Sequence, residues 1–151
     1  HYFMKTLDNG RIGIAALAMG IGRGAMERSV AYAKERKAFG KAIGQLQAVG
    51  NMIADMAVDL EASRHLVYHA ARLKDAGKPY GREASIAKLF ASEAATRVCD
   101  KSIQVLGGYG YMQEYEVERF YRDAKLCEIG EGTSEIQRIV IARETLGRFQ
   151  D

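Results

Sequence analysis

The run Glu131-Gly132-Thr133 stands just ahead of a helix-spaced apolar segment that stops at Gly147, so a carboxylate, a glycine and a hydroxyl meet at a helix N-terminus. A carboxylate there complements the helix dipole; equally, Thr133 and the free amides could hold an anion. A second group, Arg36-Lys37-Ala38-Phe39-Gly40, closes the first helical segment. Cations near a helix C-terminus gain about 0.3–1 kcal/mol from the dipole alone, and the chemical alternative is a phosphate or pyrophosphate held by Arg36, with Phe39 against a flat ring and Gln47 supplying an amide. In the third group, Gln104-Val105-Leu106-Gly107-Gly108-Tyr109-Gly110, glycines permit close backbone approach to a ligand, although a helix C-cap accounts for two of the three.

Other spacings point to packing. Gly20, Gly22 and Gly24 are spaced G-x-G-x-G inside a helical pattern with no strand before them, which fits close helix packing better than a dinucleotide fingerprint. His65 and His69 lie one turn apart, but no H-E-x-x-H or Glu-x-x-His motif surrounds them, so they read as surface or packing histidines and no metal is expected. No serine or cysteine sits in a nucleophile elbow. Cys99 and Cys127 lack a C-x-x-C partner, which argues against a metal knuckle or a secreted disulfide framework and fits a reducing compartment.

These groups need elements to position them. The 151 residues suit one domain, and 22 basic against 19 acidic residues, without a concentrated basic run, exclude a nucleic-acid footprint. The longest uncharged stretch, Ile12 to Gly22, is about half a membrane span, so no membrane segment is expected. Leu46, Val49, Ile53, Met56, Leu60, Ser63, Val67 and Ala70 alternate three- and four-residue steps, the face of a helix. Residues 11–36 and 82–106 read as two more long helices, and Val117 to Leu126 as a shorter one. In the last helix Ser134-Glu135-Ile136-Gln137 has the form of a capping box, and Ile136, Ile139, Val140 and Leu146 share a face. Short connections force antiparallel neighbours, so the spacing predicts an all-α fold: an antiparallel up-and-down four-helix bundle with an additional short C-terminal helix. His1-Tyr2-Phe3-Met4 lacks the regions of a signal peptide and begins abruptly; residues 1–10 are expected to be the end of a preceding segment or a tag remnant, and 11–151 the bundle domain.

In order along nearly the whole chain, Leu7-Asp8-Asn9-Gly10-Arg11, Tyr32 through Gly40, Gln104 through Gly110, Tyr121-Arg122-Asp123-Ala124-Lys125 and Glu131 through Arg138 resemble the C-terminal helical domain of the acyl-CoA dehydrogenase family. The resemblance implies an FAD enzyme of fatty-acid β-oxidation that converts an acyl-CoA to its 2,3-enoyl-CoA, with Glu131 as the base for the α-proton and its backbone N–H polarising the thioester carbonyl. Some members carry the base at the position matching Gly10 instead; this chain has Gly10 and Glu131. Asp8 and Arg11 match positions that bracket CoA, with Gly132 also on the substrate side. Arg36, Phe39, Gln47, Gln104, Gly107, Gly108, Thr133 and Glu135 match residues around FAD, Glu135 standing where medium-chain members carry glutamine. The resemblance further implies a homotetramer or dimer in which the ADP half of FAD crosses a subunit boundary. It also implies electron-transfer flavoprotein as acceptor, and a cytoplasmic location, or the mitochondrial matrix in a eukaryote. Intact members add an N-terminal helical domain and a middle β-domain, so these residues alone are expected to be inactive. The alternative is a non-catalytic oligomerisation module derived from that family.

Overall fold

A helix packs closest where its side chains are smallest, and two helices here are built for that. The structure, a computed structural model, describes residues 2–147, with side chains from Leu7 onward. Five helices dominate: α1 (Tyr2–Glu35), α2 (Gln47–Asp75), α3 (Gly81–Leu106), α4 (Val117–Ile129) and α5 (Ser134–Leu146). α1 runs unbroken through Gly10, so the helix starts earlier than the expected residue 11. Its buried face is Ala15, Ala18, Ala25 and Ser29, and α3 answers with Ala84, Ala87, Ala91 and Ala95, none more than 1 % exposed. Small side chains on both sides bring two backbones together and let dispersion between them replace the burial of large groups.

Individual contacts give the directions. Arg11 meets Ser85 and Gly22 meets Ala95, so α1 and α3 run parallel. Met56 meets Ser102 and Asp59 meets Arg97, which sets α2 antiparallel to α3. Arg28 meets Glu116 and Gly24 meets Phe120, which sets α4 antiparallel to α1. The result is the expected up-and-down bundle, with α5 laid against α3 through Arg138 and Glu93. Close packing explains two of the three spaced glycines: a Cβ on Gly22 would lie 3.0 Å from Leu60 Cδ2, and one on Gly24 3.4 Å from the Phe120 ring, while Gly20 faces open space. The predicted stripe of α2 points inward, with Met56, Ser63, Val67 and Ala70 buried and Leu46, Val49, Ile53 and Leu60 packed beside them.

The helical spacing left the first connection undescribed and placed the last helix's cap one residue late. Between α1 and α2 the chain makes a two-residue hairpin, β1 (Lys37–Ala38) against β2 (Lys41–Ala42), turned by Phe39 and Gly40 at φ 52° and 76°. Two consecutive positive φ values make this a type I′ turn, costly for phenylalanine. In α5 the face shared by Ile136, Ile139, Val140 and Leu146 points out, with Val140 half-buried and the other three 46 %, 61 % and 67 % exposed, and the buried residues are Ser134 and Gln137. The N-cap is Thr133 rather than Ser134; its Oγ1 accepts from the Ile136 N–H at 3.5 Å, and Gln137 reaches outside the helix instead of back to a cap.

Among the described residues no helix is long and apolar enough to cross a membrane, and no three His, Cys, Asp or Glu side chains gather as a metal group. His65 and His69 are exposed on α2, His65 facing Glu61 at 3.0 Å.

Candidate active site

The turn between α4 and α5 carries Glu131 in the left-handed region (φ 55°), followed by Gly132 (φ 93°). Glycine adopts this freely; for glutamate it costs about 1–2 kcal/mol. Hydrogen bonds on the backbone hold the turn. Gln137 Nε2 donates to Glu131 O at 3.2 Å and Gly132 O at 2.9 Å, while Lys88 Nζ donates to Gly132 O at 2.7 Å and Glu128 O at 3.0 Å. Lys88 is wholly buried, and burial pushes its pKa down. The turn lays the Glu131 carboxyl on α1 at Gly10: a Cβ there would lie 2.7 Å from Glu131 Cδ and nearer still to Oε2. Gly10 thus opens the place that the carboxyl occupies.

Beside that carboxyl, α1 and α4 line a half-open cavity of about 420 Å³ whose walls are Ile14, Leu17, Ile21, Leu126, Cys127 and Gly130, apolar apart from Asp123 and Glu131. A carboxylate bordering apolar surface is poised to lose water when an apolar group fills the space, and a less hydrated carboxylate is a stronger base.

Asp8 and Arg11 lie one turn apart on the same end of α1. Arg11 is 4 % exposed; its Nη1 donates to Asp8 Oδ1 at 2.7 Å and to Ser85 Oγ at 3.3 Å, and its buried Nε has no partner. Both border a cavity of about 800 Å³ whose wall also carries Arg82 and Arg143, each paired with its neighbouring Glu83 or Glu144, and Lys74 and Lys78, which leave a modest excess of positive charge for an anionic ligand.

The remaining predicted residues lie elsewhere. Arg36, Gly107 and Gly108 share a cavity of about 520 Å³ with Tyr109, whose ring lies 5.8 Å under the Arg36 guanidinium. Gly107 has φ 62°, and open space lies above it and Gly108. A cation, an aromatic face and two unobstructed glycines fit a phosphate-bearing aromatic ligand such as FAD. Phe39 (90 % exposed, at the hairpin tip), Gln47 and Gln104 are exposed and are not part of that wall. Thr133 and Glu135 sit with Glu131 instead; the Thr133 hydroxyl and its own backbone amide hold the exposed Glu135 carboxyl below its usual range. α1 separates the two sets: its 34 residues make a rod of about 51 Å, with Gly10 near one end and Arg36 just past the other, about 38 Å apart along the axis.

The family model for the acyl-CoA dehydrogenase C-terminal domain matches residues 1–146. This chain belongs to the acyl-CoA dehydrogenase family. A probable acyl-CoA dehydrogenase of Bacillus subtilis (strain 168) is 60% identical over 144 residues, covering 95% of this chain and 38% of that protein. A subunit of the caffeyl-CoA reductase–Etf complex of Acetobacterium woodii is 52% identical over 139 residues, 92% of this chain and 37% of the subunit. The solved structure of butyryl-CoA dehydrogenase from Megasphaera elsdenii superimposes with a TM-score of 0.94 at 47% identity, over 95% of this chain and 38% of that one. The chain therefore spans less than two fifths of the length of these relatives. For an acyl-CoA dehydrogenase C-terminal domain, the residues that sequence reasoning missed are Lys88 and Gln137. Lysine in a helix reads as solvated; the available signal was its place with Ala84, Ala91 and Ala95 on one helical face.

Proposed function

We propose that this chain is the base-bearing domain of an FAD-dependent acyl-CoA dehydrogenase that oxidises an acyl-CoA to the trans-2-enoyl-CoA. What carries this is the Glu131 carboxyl, set over Gly10 by a left-handed turn and bordering an apolar cavity. Glu131 takes the α-proton, its backbone N–H polarises the thioester carbonyl, and the acyl chain strips water from the carboxylate as it enters. When bound, FAD supplies the acceptor for the β-hydrogen as hydride. Arg36, Gly107 and Gly108 hold the phosphate-bearing part of the cofactor, and Phe39, Gln47 and Gln104, exposed outside that wall, meet the part of the cofactor that extends beyond it; Thr133 and Glu135 serve the Glu131 end. The basic cavity at Asp8 and Arg11 takes the CoA moiety, next to Gly132.

About 38 Å of helix separates the two cofactor-binding sets, which supports their serving two FAD molecules in an oligomer, a homotetramer or a dimer. The outward-facing Ile129, Ile136 and Ile139 offer apolar surface for such association. Electron-transfer flavoprotein is the acceptor in this reading, in line with the Etf complex of the Acetobacterium relative. The cytoplasm, or the mitochondrial matrix in a eukaryote, suits the free thiols of Cys99 and Cys127.

The test is a panel of acyl-CoA substrates on the complete gene product, with Glu131→Gln alongside. Glu131→Gln should keep FAD and acyl-CoA binding and lose nearly all turnover; substantial residual turnover assigns the proton abstraction elsewhere. The exposed apolar stripe favours one other reading, the non-catalytic oligomerisation module, and a colourless product that does not take up FAD would select it.

A further inference from the structure

Lys88 is the largest side chain in the fully buried interior, and the chemistry described so far does not use it. Among the described residues it forms no ion pair; the groups facing it are Cys127 and Glu128 from α4, Arg11 from α1 and Glu135 from α5. A buried ammonium without a carboxylate partner is expensive, and a methionine of similar length would fill the space without that cost. The bundle itself therefore has no need of lysine at this position.

Its two acceptors indicate what does. Glu128 O lies in the last turn of α4, where carbonyls lack helical partners and the dipole favours a cation, and Gly132 O lies just ahead of the α5 cap. One ammonium thus ties the chain on both sides of Glu131. A non-glycine residue in the left-handed region persists only where its surroundings over-determine it. Here the determinants are Lys88 Nζ and Gln137 Nε2, which converge on Gly132 O at 2.7 and 2.9 Å, the amide also holding Glu131 O.

We propose that Lys88 is a positioning residue for the proton-abstraction step: through the carbonyls of Glu128 and Gly132, and together with Gln137, it fixes the left-handed turn that aims the Glu131 carboxyl over Gly10. This rests on Glu131 being the base. Lys88 does not meet the substrate; it acts by removing the freedom of the turn, and an error of about 1 Å in aim costs about 10²-fold in rate.

The experiment uses the complete FAD-loaded gene product as wild type, Lys88→Met, Gln137→Met and Glu131→Gln. Turnover is measured with ordinary acyl-CoA and with acyl-CoA deuterated at the α-carbon, and amide hydrogen exchange is followed along the chain. Lys88→Met is expected to keep FAD content and KM and lower kcat by about 10²-fold. Its isotope effect should rise, because proton abstraction becomes more limiting, and exchange should speed up at residues 130–133 while α1 and α3 stay protected. A purely structural role would instead lower kcat in proportion to FAD content, with the isotope effect unchanged, and that outcome overturns the inference. If Lys88→Met does not fold, Gln137→Met carries the test with the same expected pattern, and wild-type kinetics and loop exchange there overturn it. Full turnover in Glu131→Gln would overturn the base assignment and this inference together. Lost turnover there beside wild-type kinetics in Lys88→Met overturns this inference alone.

Discussion

Relocating the base is the most direct test of the site. A Cβ on Gly10 would stand 2.7 Å from Glu131 Cδ, so a glutamate side chain at position 10, two bonds longer, can bring its carboxyl to nearly the same point once Glu131 is gone. In Glu131→Gly the base is lost, and kcat should fall by about 10²–10⁴-fold, the usual worth of a positioned general base. Stability should hardly change: relieving a glutamate at φ 55° returns about 1–2 kcal/mol, against about 0.5–1 kcal/mol for the added freedom of glycine in the unfolded chain. Adding Gly10→Glu to that variant should make it clearly faster than Glu131→Gly while leaving it below wild type, since misplacement of the carboxyl by even about 1 Å is costly. Turnover of acyl-CoA by the complete FAD-loaded gene product, with flavin absorbance as the control for loading, reads both steps. A folded, flavin-loaded double variant no faster than Glu131→Gly would refute the shared position of the two carboxyls, and undiminished turnover in Glu131→Gly would refute the role of Glu131.

Gly22→Val should cost about 1–3 kcal/mol in urea unfolding, because its branches enter a space where a single Cβ already lies 3.0 Å from Leu60 and 3.5 Å from the backbone of Ala95; a neutral effect would mean that α1, α2 and α3 are not in contact there. Burial pushes the Cys99 thiol up to about 12, so Cys99 should resist alkylation at pH 8 in the folded protein and label fully in urea, and rapid native labelling would contradict the packing. Burial alone raises the Glu128 carboxyl, but hydrogen bonds from Lys125 and Thr96 outweigh it and hold the group below its ordinary 4.5. Its contribution to stability is therefore present above about pH 4.5 and lost as pH falls through the lower folded value. Accordingly, Glu128→Gln should destabilise at pH 7 and progressively less as pH falls below 4.5, and a penalty that does not change with pH would show that charge is not involved.

How much of this was legible in the sequence depended on what each pattern had to report. α2 was read correctly because large apolar residues at helical steps leave only one way to face. The pairing of α1 with α3 was harder, since alanine and serine carry little hydropathy contrast; the large residues Ile86, Leu89 and Phe90, which mark α3 as a helix, end up only partly buried. The direction in which the shared apolar face of α5 points was not legible, because the described residues leave much of that stripe uncovered, while Ser134 and Gln137 turn inward to the Glu131 turn. The cap fell one residue early for a related reason: Ser134 and Gln137 have capping-box spacing, but the Gln137 amide is drawn to Glu131 O and Gly132 O. Glu131 and Arg36 were visible as residues. Their separation was not, because motif order along a chain says nothing about which end of a helix each motif meets.

That separation along α1 has a genetic consequence. If each cofactor draws one part of its cradle from one copy of the chain and the rest from another, two defective alleles need not fail together. A copy spoiled at Arg36 and a copy spoiled at Glu131 are each inactive alone, yet co-expressed they assemble some pockets from two sound halves. Complementation between such alleles, absent between two that are both spoiled at Glu131, is the phenotype expected if the proposed cofactor and base sites lie toward opposite ends of this 34-residue helix.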